Sequence, residues 1–118
     1  MSALQYIGAR MPIFMTQFTY TSEGWRALVK NPQDRTEVFR GLFERNGGRI
    51  ICHYLCFGDY DSLVIAEAPN ETIMTSALLA VIAEGHIKDI RTTVLITPEQ
   101  GVEAMRKAGT THVPLGES

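Results

Sequence analysis

Two apolar runs, RIICHYLCF at 49–57 and SLVIAEA at 62–68, are separated by only the four residues GDYD. A gap that short cannot carry a crossover helix, so the runs pair as an antiparallel hairpin. A strand and a helix are predicted before it, and a helix and a strand after it. PIFMTQFTY, 12–20, reads as a strand, and TSEGW offers Thr21 or Ser22 as the cap of a short helical turn through Val29. NPQD then predicts a restart, with Asn31 as cap, Pro32 in the first position and Asp34 at the positive end of the dipole. Val38, Phe39, Leu42 and Phe43 form the apolar stripe of this helix, and NGG at 46–48 stops it. Beyond the hairpin, Asn70 caps a helix whose buried stripe is Met74, Ala77, Leu78, Val81 and Ile82, and Gly85 ends it. IKDIRTTVLI, 87–96, is the last strand. TPEQ is a capping box for a short helix to about Lys107, with Thr97 as cap and Gln100 reaching back.

This order predicts an α+β chain of the ferredoxin-like type, βαββαβ, with a four-stranded antiparallel sheet and its helices on one face. One domain is expected over 12–107, with an N-terminal extension at 1–11 and a C-terminal tail at 108–118, a size that suits 118 residues. The strands are apolar on both parities: Phe14 and Phe18 against Ile13 and Met15, Ile50 and Tyr54 against Ile51 and Leu55. Two helices cover one face only. The uncovered face therefore predicts an interaction surface, and a second copy of the same sheet is the simplest occupant.

Charge and patterning bound the function. Net charge is -2 with no basic stripe, so a nucleic-acid partner is not expected. No apolar run approaches the roughly 20 residues that span a bilayer, and the N-terminus carries no secretory pattern, so a cytoplasmic bacterial protein without a membrane partner is expected. Cys52 and Cys56 on one strand would sit about 13 Å apart, too far for a disulfide or a shared metal, and read as buried reduced thiols. Asn70-Glu71-Thr72 matches a glycosylation sequon, but without secretion it serves as a cap. No phosphate loop, nucleophile elbow or metal motif is present, and no cofactor or metal is expected.

Several of these segments together resemble the GYD-domain proteins, small bacterial proteins named for the tripeptide found here as Gly58-Asp59-Tyr60. The resemblance rests on FTYTSEGW, the arginine of NPQDR, NGG, FGDYD, EAPNE and the T-P-E after the last strand, and spans roughly 12–107. It implies a dimeric α/β barrel, in which two sheets face each other around a cavity. It implies no assigned activity, because related barrels include oxygenases, isomerases, haem-degrading enzymes and ligand sensors.

Among single residues, Gly58, Asp59, Tyr60 and Asp61 read as a turn: Gly58 at positive φ, an aspartate bonding backbone amides, and Tyr60 packed over the bend. The competing reading makes Asp59 or Asp61 a base, which would need burial or a charged neighbour. His53 shares strand parity with Ile51 and Leu55, and with Gln17 and Arg91 would place a base, an amide and a cation in the space between sheets. There its imidazole would be neutral at pH 7 through desolvation, aided by Arg91. The alternative is a hydrogen-bonded dimer seam. Tyr20 and Trp25 flank a barrel mouth, as packing or as a ligand platform. Arg35 reads as a surface ion pair, His86 as a partner of a helix C-terminus, and His112 as an unpaired tail residue. Three functions stay open. They are a homodimer binding a small apolar ligand, a cofactor-free enzyme using His53 and Arg91 on an aromatic or carbonyl substrate, and a structural or regulatory subunit.

Overall fold

The computed structural model describes residues 11–115. Its elements are β1 (Ile13–Tyr20), α1 (Ser22–Lys30), α2 (Thr36–Arg45), β2 (Arg49–Leu55), β3 (Ser62–Glu67), α3 (Glu71–Ile82), β4 (Ile87–Leu95) and α4 (Pro98–Gly109). The sheet order is β2-β3-β1-β4 and every pairing is antiparallel, which is the ferredoxin-like arrangement. Strand alternation sends Phe14, Thr16, Phe18 and Tyr20 of β1, with Ser62, Val64 and Ala66 of β3, to one buried face. Phe39 and Phe43 of α2 and Met74 and Ala77 of α3 close that face into one core. Phe18 meets both Tyr20 and Phe39 edge-to-face, at centroid distances of 5.4 and 6.0 Å.

The caps at Thr21, Asn70 and Thr97 form as the residue types dictate, the last as a full capping box. The second helix departs from expectation. Asn31 does not begin it; the Asn31 amide donates to the Ala27 carbonyl, so this residue closes α1. Pro32 disfavours helical backbone at the residue before it, and α2 starts only at Thr36. Asp34 then supplies the missing acceptor, its Oδ1 taking the Thr36 amide at 2.8 Å and the Thr36 hydroxyl at 2.6 Å.

The other departure decides where the chemistry sits. Ile50 pairs with Ala66, but Cys52, not Ile51, pairs with Ile65, so Ile51 is an extra residue in β2. A bulge of one residue reverses the facing of everything after it. His53 therefore pairs with Val64 on the helix side, and Cys52 and Tyr54 go to the helix-free face with Ile65 and Leu63. This corrects the expected placement of His53 between sheets and of the thiols under the helices. Both thiols are free and half-buried.

Gly58 is also corrected. Positive φ occurs at Gly47 and Gly85 among the described glycines, and Gly58 lies outside that region. The loop from Cys56 to Asp61 is closed by the Cys56 amide on the Asp61 carbonyl at 2.8 Å, and it is wide enough to turn without a left-handed residue.

Candidate functional site

The end of β1, α1, the 31–35 segment and the end of β2 enclose a half-open cleft of about 720 Å³. Its walls are largely apolar, with Trp25, Leu28, Val29, Pro32 and Leu55. Tyr20 and Trp25 meet at 4.9 Å between ring centroids, fixed by one carboxylate: Asp61 Oδ2 accepts from the Tyr20 amide at 3.0 Å and from Trp25 Nε1 at 3.2 Å. Asp61 thus has the structural role expected of the turn, and reaches further than the turn by tying down α1. Asp59 is exposed and Tyr60 half-buried.

His53 faces this cleft from the helix side. Its Nδ1 lies 2.7 Å from Thr36 Oγ1 and its Nε2 lies 3.1 Å from the buried Ser62 Oγ. The Thr36 hydroxyl has a single proton and gives it to Asp34, so toward His53 it accepts. Nδ1 therefore carries the ring proton, and Nε2 accepts from Ser62. Burial holds the His53 pKa below its ordinary value, against an opposing pull from Asp34. The hydrogen bonds from Thr36 hold the Asp34 carboxyl below the usual range. A neutral ring with both nitrogens engaged has no lone pair left for a substrate.

Gln17 and Arg91 are register partners on the helix-free face, so the sheet separates them from His53. The expected trio does not assemble. Tyr20, Trp25 and His53 do line one cleft, together with Arg35, the cation that the sequence assigned to a surface ion pair. Arg35 makes no ion pair with any described residue, and its Nε is buried without a hydrogen-bond partner. Its guanidinium stands 6.0 Å from the Phe39 ring centroid. Tyr20 has its pKa raised by burial, pulled down by Arg35 and pushed up by Asp61. A second cavity of about 490 Å³ shares Tyr20, Leu28, Gln33 and Arg35 with the first. The clue in the sequence was Pro32, which disfavours helix at Asn31 and leaves Arg35 in the non-helical segment before α2.

Across the sheet, Ile13, Met15, Leu63, Ile65, Cys52 and Tyr54 share the face that no described helix covers. At the hairpin tip Phe57 is 87% exposed, and Val102 and Met105 of α4 are exposed along that helix. The His86 backbone carbonyl accepts from the Thr21 amide, and His112 is exposed. No group of His, Cys, Asp and Glu among the described residues is arranged to hold a metal, and no described helix is long and apolar enough to cross a membrane.

The GYD-domain family model matches residues 14–105. A relative from Thermus thermophilus, named glutamine synthetase and cystathionine beta-lyase binding protein, is 33% identical over 78 residues, 66% of this chain and 82% of that protein. A transcriptional regulator from Neisseria meningitidis, solved with L-Met, superposes with a TM-score of 0.48 at 10% identity. The match covers 82% of this chain and 56% of the regulator.

Proposed function

The chain belongs to the GYD-domain family, and from that premise we propose that it is a homo-oligomeric binding protein whose output is association with other proteins. The observation that carries the reading is the uncovered apolar sheet face, where Met15, Leu63 and Ile65 lie on the side away from the core. Water against that face is unfavourable, at roughly 25 cal/mol per Å² of apolar surface, and a two-fold copy would cover it. Gln17 and Arg91 then stand at the seam, where they can bond across it. The name of the Thermus relative supports protein partners for the assembled unit. Enzymes of amino-acid metabolism are the class to try first.

The enzymatic alternative has less support. His53 is committed to Thr36 and Ser62, and Arg91 lies on the opposite face. The test is direct binding of this protein to purified glutamine synthetase and cystathionine beta-lyase from the same organism, measured by interferometry. Saturable binding to either, absent for a bovine albumin control, is expected. Saturation by neither would overturn the partner class.

A further inference from the structure

We propose that the cleft between α1, the 31–35 segment and the end of β2 is a binding site for a small monocarboxylic acid with an apolar body, Arg35 taking the carboxylate. The cleft's polar chemistry is unbalanced. Among the described residues Arg35 is the only lysine or arginine that lines it, it makes no ion pair, and its buried Nε–H has no acceptor. Each nearby carboxylate has one oxygen engaged away from Arg35, Asp34 Oδ1 by the Thr36 amide and hydroxyl and Asp61 Oδ2 by the Tyr20 amide and Trp25 indole, and neither forms an ion pair with Arg35. Glu84 lines the second cavity but makes no ion pair with Arg35. A guanidinium that lines a cleft without an ion-pair partner is open to a carboxylate, which can match it through two parallel hydrogen bonds.

The remaining walls choose the rest of the ligand. Trp25, Leu28, Pro32 and Leu55 suit an alkyl or aryl body. A volume of about 720 Å³ lies within the range of small-molecule sites. One cation beside the Asp34 carboxylate favours a single negative charge over a phosphate dianion. This site is on the helix side of the sheet, so it does not depend on the proposed oligomer.

Trp25 is the sole tryptophan and lines the cleft, so its fluorescence reports occupancy. The experiment titrates 3-phenylpropionate and 4-methylpentanoate into the full chain at constant pH, each against its primary amide. Saturation by at least one acid below roughly 10 mM is expected, with its amide weaker by roughly tenfold or more. Arg35→Met should bind that acid no better than the amide, with an unchanged circular dichroism spectrum. Equal binding of acid and amide, no saturation by either acid, or full acid binding by a folded Arg35→Met would each overturn the proposal. Should Arg35→Met fail to fold, the acid–amide comparison on the unmodified protein decides alone.

Discussion

His53 sits between two hydroxyls with its proton on Nδ1, and this arrangement makes stability depend on pH in a defined direction. Its folded pKa lies below the ordinary 6.5. Between the two values the unfolded chain binds more protons, so lowering the pH through that window destabilises the fold. Above 6.5 the contribution is complete. Asp34, with a depressed pKa, acts in a separate window beneath about pH 4. Calorimetry should therefore give a lower Tm at about pH 5.5 than at about pH 7.5, and His53→Gln should flatten the difference. An unchanged slope in that variant would contradict the assigned network. Two glycines make a second contrast. A Cβ on Gly48 would overlap the Glu67 carbonyl oxygen, whereas one on Gly58 meets open space. Gly48→Ala should cost about 1–3 kcal/mol in urea unfolding, and Gly58→Ala should stay within about 0.5 kcal/mol. Equal costs would contradict the close approach at Gly48.

Elements show why some of this could be read in advance. Runs such as 12–20 and 62–68 alternate without interruption, and TPEQ carries its own cap, so their placement follows from local chemistry. The β2 strand does not announce its bulge: Ile51 is as apolar and β-branched as Ile50, and either can be the extra residue. One unmarked insertion moved His53 to the other face and dissolved the expected trio with Gln17 and Arg91. The start of α2 was legible only in part, because Asn31 and Pro32 suit a helix start as well as a helix end. At GDYD an aspartate bonding backbone amides was expected; Asp61 takes the Tyr20 amide, Gly58 does not adopt the expected positive φ, and the reach to Trp25 was missed because it lies 36 positions away. Asp61→Ala would leave the Tyr20 amide and the Trp25 indole without their acceptor. It should cost about 1–3 kcal/mol by denaturant unfolding, while Asp59→Ala should stay within about 0.5 kcal/mol. Equivalent losses at both positions would show that Asp61 serves the loop alone.

For the whole molecule, the two sides of one sheet divide the work. The helix side builds the core and frames the Arg35 cleft, and the helix-free side carries Met15, Leu63 and Ile65, the face proposed for pairing. A stable pairing through that face buries at least roughly 1,000 Å² in total. Ile65 lies on β3 at the centre of the face, directly beside Met15 on β1. A glutamate there keeps its charge out of the core, so the fold should survive while the contact fails. The most direct measurement is sedimentation equilibrium at micromolar concentration on the native chain and on Ile65→Glu. The account predicts a mass of about 26 kDa or a higher multiple of the 13.1 kDa chain for the native protein, and a folded species near 13.1 kDa for the variant. A native protein that sediments as a monomer, or a folded Ile65→Glu with undiminished mass, would contradict it.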